Sequence, residues 1–379
     1  MIRKTLLATA AALALPAAVQ AEDTVKIGLA VPLTGDFAIY NEVAGAKCMA
    51  KMINDDGGVN GMPIELLIQD SDAQAAITLA ERFMGDGIVS LGTIPFSDTM
   101  IPVAQIIGAE GISIVQAQST QVEMHAGIVD NFISNVAPDP FTAANYALDQ
   151  GVKNVAIFVS DEGGSWSARV PEWFAEVIEA GGGTLQTTLN YTSGTTDWSP
   201  QIAELKALDP APDAVYISWA MPDIGILLRQ MRAAGLDAYV VGSDGFDDPS
   251  LDALAEEDPT LLDKVFFGTL APSQPGSRVA QFYEDCDALG EPVDGLFPAL
   301  GGDMVKIVAY GVDAAGSTDP VAVREAIRSA DAIPVMSVES VSFKDTESYA
   351  MREIPVIGFE NGERVLLSLD IPENVPEWP

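Results

Sequence analysis

Two kinds of apolar pattern alternate along the chain. Short apolar runs are followed by longer stretches in which apolar residues recur every three or four positions. The first pattern is typical of a buried parallel strand, and the second of a helix packed on a sheet. Together they predict a parallel sheet with helices on both faces. Strands are predicted at 25–31, 64–68, 88–91 and 112–115, and helices at 41–54, 73–84 and 100–108.

The same alternation starts again after the proline-containing segment 137–140. Strands are predicted at 155–159, 184–189, 214–218 and 239–241, and helices at 141–150, 167–180, 200–208 and 223–234. Two further helices, at 302–315 and 321–329, are predicted to return to the first lobe. The predicted fold class is therefore α/β, with two Rossmann-like lobes built from parallel sheets flanked by helices.

Polar residues follow two neighbouring strands of the first predicted sheet. Phe96 and Ser97 come after strand 88–91, and Gln118, Ser119 and Thr120 come after strand 112–115. Open α/β sheets bind ligands at such strand ends, where hydroxyls and helix N-termini offer donors to an anionic or carbonyl group. The alternative is that hydroxyl residues such as Ser97 are ordinary helix caps.

The N-terminus has the three parts of a secretory signal peptide. Arg3 and Lys4 come first, an apolar run over 6–19 follows, and cleavage is expected after Ala21. The run is shorter than the roughly 20 residues of a membrane-spanning helix. We therefore expect residues 1–21 to be removed and the mature chain to be soluble and exported to the periplasm.

The charge of the chain is strongly negative. There are 19 Lys and Arg residues against 55 Asp and Glu residues, a formal net charge of −36. Such a field repels nucleic acid, which binds through basic patches. Because the acidic residues are spread along the chain, we interpret them as a solubility adaptation, and we expect no nucleic-acid partner.

The chain offers little metal or cysteine chemistry. It has two cysteines, Cys48 and Cys286, and a single histidine, His125. Export permits a disulfide, but Cys48 lies on the apolar face of a predicted helix, so we favour a buried free thiol there. One histidine without a cysteine cluster argues against a zinc site or a histidine-based triad. We expect no metal and no cofactor.

Several motifs resemble a known family. They are VPLTG at 31–35, NDDGGVNGMPIE at 54–65, DSD at 70–72, TTDWS at 195–199, MRAAG at 231–235 and GSDG at 242–245. In order and spacing this chain is similar to type I periplasmic binding proteins of the leucine/isoleucine/valine-binding family. These proteins are solute receptors of ABC importers.

The resemblance implies two lobes joined by three crossovers, near 133–136, 265–268 and 338–343. The N-terminal lobe would comprise 22–135 plus 269–340, and the C-terminal lobe 136–268 plus 341–379. Ligand would bind between them. No arginine or lysine falls on the implied contact positions, which favours a zwitterion or a neutral amide over a dianion.

The resemblance also implies the contact residues. The ligand's carboxylate would be held by Ser97 and Thr120, and its ammonium by Asp244. The implied ligand-binding residues are Tyr40, Phe96, Ser97, Gln118, Ser119, Thr120, Trp166, Trp219, Asp244 and Phe297.

The expected function is a periplasmic receptor that captures a small apolar amino acid of the branched-chain type by hinge closure. A monomer would deliver it to an ABC permease in the inner membrane. An amide, urea or aromatic carboxylate as ligand, or a role as ligand sensor, are the alternatives. We do not expect the protein to be an enzyme, because the chain has neither a G-x-S-x-G nor an H-E-x-x-H motif. A glycosidase-type carboxylate pair stays open, since chance pairs are expected among 55 acidic residues.

Overall fold

The computed structural model describes most of the chain after the predicted signal peptide. The described residues are 24–34, 38, 40–70, 76–92, 97–117, 131–135, 139–160, 165–218, 223–346 and 349–372, without the side chains of 76, 97–102, 132, 165 and 166. Among them, no helix is both long enough and apolar enough to cross a membrane.

Helices and strands alternate as predicted. The helices are α1 Glu42–Asp55, α2 Ala76–Asp86, α3 Ser97–Gly108, α4 Asp139–Asp149, α5 Ser165–Ala180, α6 Ser199–Ala207, α7 Asp223–Ala233, α8 Pro249–Glu257, α9 Arg278–Ala288, α10 Phe297–Ala315 and α11 Pro320–Arg328. The strands are β1 Val25–Val31, β2 Ile64–Asp70, β3 Ser90–Gly92, β4 Ser113–Gln116, β5 Phe132–Ser134, β6 Asn154–Val159, β7 Thr184–Asn190, β8 Ala214–Tyr216, β9 Tyr239–Gly242, β10 Val265–Gly268, β11 Ile333–Pro334, β12 Ser340–Val341, β13 Ile354–Glu360 and β14 Glu363–Asp370.

The strands form two main sheets. The first has the order β2-β1-β3-β4-β5 and is parallel throughout. The second has the order β14-β13-β10-β9-β8-β6-β7, in which only β13 and β14 run antiparallel to their neighbours. Strands β11 and β12 form a small antiparallel pair. This architecture confirms the predicted α/β fold class.

Each main sheet has its own hydrophobic core. Residues of α1 and α9–α11 pack with β1 around the first sheet, and residues of α6–α8 pack with β8–β10 against the second. We call the first sheet with its helices the first lobe, and the second sheet with its helices the second lobe. The chain passes between them after β5, after β10 and between β12 and β13.

Helices α1 and α10 cross unusually closely in the first lobe. A Cβ atom on Gly45 would lie 1.7 Å from the carbonyl oxygen of Pro298, and one on Gly301 would lie 2.1 Å from that of Glu42. A Cβ on Gly302 would lie 2.8 Å from the ring of Phe282. These glycines therefore serve helix packing, and the close crossing brings the starts of α1 and α10 together.

Replacing Gly45 with alanine is expected to destabilise the protein by about 3 kcal/mol, because the new methyl group collides with the main chain of α10. The free energy of unfolding in urea measures the effect. The matched control is Gly85→Ala in α2, where nothing lies within 4 Å of the added Cβ. That variant should be neutral or gain up to about 1 kcal/mol. Equal stability of the two variants would contradict the close crossing.

A buried network of hydrogen bonds joins the three segments that connect the lobes. The guanidinium of Arg352, which lies just before β13, donates to the Asn135 carbonyl at 3.0 Å, to the Ser337 hydroxyl at 2.9 Å and to the Leu270 carbonyl. Asp303 of α10 accepts from the Asn135 side chain at 3.2 Å and from the Ser337 main chain at 3.3 Å. Asn135, Asp303, Ser337 and Arg352 are all at least nine-tenths buried. We call these four residues the inter-lobe network.

The two cysteines form a disulfide, which corrects the expectation of a free thiol. Cys48 lies on the buried face of α1 and Cys286 on that of α9, and their Cα atoms are 5.5 Å apart. The apolar face of the predicted helix indicated only that Cys48 is buried. It gave no information about a bonding partner, so a free thiol was expected. Its partner lies 238 residues further along the chain, and periodicity does not report such pairings.

Replacing both cysteines with alanine is expected to lower the free energy of unfolding by about 2–4 kcal/mol, because the cross-link restricts the unfolded chain. Urea unfolding of the variant beside the oxidised protein measures this. Reductant should destabilise the parent protein and leave the double variant unchanged. An intact mass that does not increase on denaturing reduction would show that the bond is absent.

Candidate functional site

Three of the ten implied contact side chains lie in the described part of the chain: Tyr40, Asp244 and Phe297. Ser97 and Trp166 belong by their main chain to the first turns of α3 and α5, and their side chains are not described. The remaining five, Phe96, Gln118, Ser119, Thr120 and Trp219, lie outside the described residues.

Several of the implied contact residues follow a strand. In each sheet, the strands that they follow end at the same edge. In the first sheet β3 and β4 pair in parallel, so both carboxyl ends point the same way. In the second sheet β6, β8 and β9 are likewise parallel. Ligands of open α/β sheets bind at the carboxyl ends of the strands, and Asp244 follows β9 at this edge.

An aromatic pair forms the first lobe's described part of the site. The rings of Tyr40, just before α1, and Phe297, the first residue of α10, are 4.3 Å apart between centroids and tilted by 44°. The Tyr283 hydroxyl fixes the start of α10, since it donates to the Gly295 carbonyl and accepts from the Ala299 N–H at 3.2 Å. The close crossing of α1 and α10 thus builds an apolar wall.

Asp244 provides an acidic group from the second lobe. It opens a short 3₁₀ helix, Asp244–Phe246, directly after β9. A Cβ on Gly242 would come within 2.4 Å of the Phe246 ring, so the missing side chain lets this turn fold back on the strand end. Asp244 is 6% exposed, and its Oδ1 has no hydrogen-bond partner.

Asp139, which the sequence analysis did not single out, lies beneath Asp244. It is the first residue of α4, is fully buried, and accepts a hydrogen bond from the Asp244 main-chain N–H at 2.8 Å through Oδ2. Its Oδ1 has no partner. The buried Tyr216 of β8 lies close enough for both carboxyls to raise its pKa, although burial is the larger cause.

Burial shifts the acid groups of the site towards their neutral forms. It raises the pKa of Asp244 to about 7, and that of Asp139 well above the usual range of a carboxyl. It also raises the pKa of Tyr40 to about 12, with smaller contributions from Asp244, Glu42 and Asp248. Tyr40 belongs to the first lobe and Asp244 to the second, and the two lie close enough for the charge of Asp244 to raise the pKa of Tyr40.

Glu42 is a second acidic residue that the sequence analysis missed. It is the first residue of α1, is 2% exposed, and its Oε1 has no hydrogen-bond partner. Burial raises its pKa to about 7. An acid in the first turn of a helix is common, because it complements the helix dipole. The local pattern therefore does not separate Glu42 or Asp139 from ordinary helix starts.

Two acids beside Asp244 have structural partners. The Asp248 side chain accepts from the Ser250 N–H at 2.8 Å and caps α8. Asp247 pairs with Arg364 of β14 and accepts from the Thr269 hydroxyl at 2.5 Å. Of these three described acids, Asp244 is the one with a buried side-chain oxygen that has no hydrogen-bond partner.

The described residues contain no group of three or more His, Cys, Asp or Glu side chains arranged to hold a metal. The site instead combines an apolar aromatic wall with buried carboxyls. Such a combination can bind a small molecule that has both an apolar group and a hydrogen-bond donor or cationic group.

A model of the periplasmic binding protein family matches residues 24–360. The chain belongs to this family. The Leucine-, isoleucine-, valine-, threonine-, and alanine-binding protein of Pseudomonas aeruginosa is 26% identical over 316 residues, which cover 82% of this chain and 83% of that protein. The resemblance indicated by the motifs is thereby confirmed.

Solved structures of periplasmic binding proteins share the fold. A leucine binding protein of Thermotoga maritima aligns with a TM-score of 0.75 at 22% identity, covering 93% of this chain and 100% of that one. A solute binding protein of R. palustris in complex with benzoate aligns with a TM-score of 0.75 at 16% identity, covering 94% of this chain and 98% of that one. At these identities the comparison establishes the fold, which agrees with the expected two-lobed type.

Proposed function

We propose that this protein is the periplasmic solute receptor of an ABC importer and that it binds a small apolar amino acid between its lobes. The observation that carries the proposal is an aromatic wall, Tyr40 and Phe297, that lies near the buried carboxyl of Asp244, whose Oδ1 has no hydrogen-bond partner. The wall suits an apolar side chain, and the carboxyl suits an ammonium group.

The rest of the proposed site follows the family resemblance. Ser97 and Thr120 hold the ligand's carboxylate beside Phe96, Gln118 and Ser119. Trp166 and Trp219 cover the ligand from the second lobe. The curated relative named for binding leucine, isoleucine, valine, threonine and alanine supports a ligand of this class.

Transport follows from closure of the lobes. The N-terminal lobe is 22–135 plus 269–340, and the C-terminal lobe is 136–268 plus 341–379. Ligand binds the closed state better and shifts the population towards it, and hinge closure of this kind is typical of periplasmic binding proteins. The closed monomer then docks on an inner-membrane permease, after export and removal of residues 1–21.

A thermal-shift screen of residues 22–379 against amino acids, amides, urea and aromatic acids tests the ligand class. A ligand at 100 times its Kd should stabilise the folded protein by about 2.7 kcal/mol. Stabilisation by leucine, isoleucine or valine supports the proposal. If all three leave the melting temperature unchanged, the proposed ligand class is wrong.

An aromatic carboxylate is the second candidate ligand. The Tyr40–Phe297 pair and the benzoate complex of a structural neighbour favour it. The pH dependence of affinity separates the two. Burial raises the pKa of Asp244 to about 7, so an ammonium ligand binds more tightly as pH rises from 5.5 to 8. Benzoate would be repelled by the newly ionised Asp244 and would bind less tightly over the same range.

A further inference from the structure

We infer that Asp139 and Asp244 together present a single negative charge to the ligand, with Asp139 staying protonated as a positioning residue that holds the Asp244 main chain. The inference rests on the proposed function only in taking the ligand to carry a cationic group.

The contact between the two residues joins distant parts of the chain. Asp139 begins α4, and Asp244 follows β9, 105 residues later. The hydrogen bond from the Asp244 N–H to Asp139 Oδ2, at 2.8 Å, therefore fixes the turn that carries Asp244 onto the start of α4. The Asp139 main chain is fixed in turn, because its carbonyl accepts from the Thr142 hydroxyl at 3.0 Å.

Among the described residues, no cation pairs with either carboxyl. Neither Asp139 nor Asp244 forms an ion pair with a Lys or Arg of the described chain. Each also has an Oδ1 without a hydrogen-bond partner. Two neighbouring buried carboxyls without a counter-ion do not both ionise near neutral pH, because like charges repel strongly where water is excluded. One of the pair therefore keeps a proton.

The surroundings decide which carboxyl keeps it. Asp139 is fully buried, whereas Asp244 is 6% exposed at the cleft. The neighbouring Gly245 main chain and Ser243 side chain lower the pKa of Asp244 against the effect of burial. Burial raises the pKa of Asp139 well above its usual range, and the charge of Asp244 raises it further. Asp244 therefore ionises first, and Asp139 remains neutral.

The other titratable groups described around the pair do not supply a positive charge to it. Tyr216 of β8 lies close enough for both carboxyls to raise its pKa, and Tyr40 of the first lobe lies close enough for Asp244 to raise its pKa. Asp247 lies on the same turn, and its partner Arg364 is engaged with it and with Asp252. Strand β10, which packs against α4, carries no titratable residue. On α5, Arg169 is paired with Glu172 and Glu176.

Infrared spectroscopy of the ligand-free protein at pH 8 tests the protonation directly. Asp244 is ionised at this pH, so the difference spectrum between the parent protein and Asp139→Asn should show the carbonyl band of one protonated carboxyl. The difference between the parent and Asp244→Asn should lack that band. If the Asp139→Asn difference contains no protonated-carboxyl band, Asp139 is ionised and the inference is wrong.

Leucine titrations of the same variants test the positioning role. Asparagine keeps the oxygen that accepts the Asp244 N–H and stays neutral, so Asp139→Asn should bind leucine within threefold of the parent, with the same pH profile. Asp139→Ala removes the acceptor and should weaken binding at least tenfold. A shift of one pH unit or more in the profile of Asp139→Asn, or a loss equal to that of the alanine variant, would overturn the inference.

The two experiments separate this inference from the proposed function. A parent protein that binds no amino acid contradicts the proposed ligand, while the infrared difference still decides the state of Asp139. The infrared measurement also uses only isosteric variants, so a poorly folded alanine variant does not block the decision.

Discussion

Replacing Arg352 with methionine is expected to lower the free energy of unfolding by about 3–5 kcal/mol, because the change leaves the buried Asp303 carboxyl without its compensating cation. Arg352 and Asp303 are 1% and 0% exposed. Burial raises the pKa of Asp303, and the charge of Arg352 opposes that shift. The variant also removes the hydrogen-bond donor to the main-chain carbonyls of Asn135 and Leu270. Unpaired buried acceptors lower the stability further. Urea unfolding measures the loss.

The matched control is Arg82→Met. Arg82 pairs with Asp86 at 3.9 Å on the surface, where its side chain is 59% exposed. Surface pairs of this kind contribute little, so the control should stay within about 0.5 kcal/mol of the parent. Similar stabilities for the two arginine variants would show that the inter-lobe network does not hold the connections together.

Replacing Asp244 with asparagine is expected to weaken leucine binding about 10- to 150-fold. A hydrogen bond to a charged group contributes roughly 1.5–3 kcal/mol, and each 1.4 kcal/mol corresponds to a factor of ten in Kd. The carboxyl oxygen left without a partner is the group available to an ammonium. Isothermal titration at pH 8, where Asp244 is ionised, measures the change. A ligand without an ammonium, such as benzoate, should not lose affinity in this variant.

Asp237→Asn is the matched control for that experiment. Asp237 lies just before β9, at the opposite end of the strand from Asp244, and its side chain is 83% exposed beside Lys264. The two variants lose the same formal charge, so the long-range field of the protein changes equally. Leucine affinity should be unchanged in Asp237→Asn. A similar loss in both variants would mean that overall charge, and not an ammonium contact, controls binding.

The order of strands and helices was predictable because it is encoded in local periodicity. Strand β1 was predicted with its observed bounds, and nine of the helices were found with shifts at their ends, whereas α8 and α9 were missed. The largest shift concerns α10, which begins at Phe297 rather than at 302. Gly301 and Gly302 have low helix propensity and concealed its first turn. The close crossing with α1 overrides that propensity.

Some elements were missed although the sequence carries their signals. The β13–β14 hairpin turns at Asn361 and Gly362, whose φ angles of 54° and 83° are those that an Asn-Gly turn adopts between two strands. Helix α9 buries Val279, Phe282 and Cys286 at helical spacing. Both patterns lie in the C-terminal third of the chain. Elements were predicted there from strand-helix alternation, and the antiparallel β13–β14 hairpin interrupts that alternation.

The acids of the site were only partly predictable. Asp244 was predicted as a contact residue because the family resemblance marks its strand end, whereas Asp139 and Glu42 look like ordinary first residues of helices. Their roles depend on contacts that join distant segments, such as the Asp139–Asp244 hydrogen bond across 105 residues. The same holds for Arg352, whose partner Asn135 lies 217 residues away. Local periodicity carries no information about such pairs.

The most direct test of the account is a calorimetric titration of L-leucine into residues 22–379 at pH 8. We predict saturable binding of one leucine per chain, because the proposed site has one aromatic wall and one ionised Asp244. Absence of saturable heat with leucine, and then with isoleucine and valine, would contradict the claim that the cleft binds a small apolar amino acid.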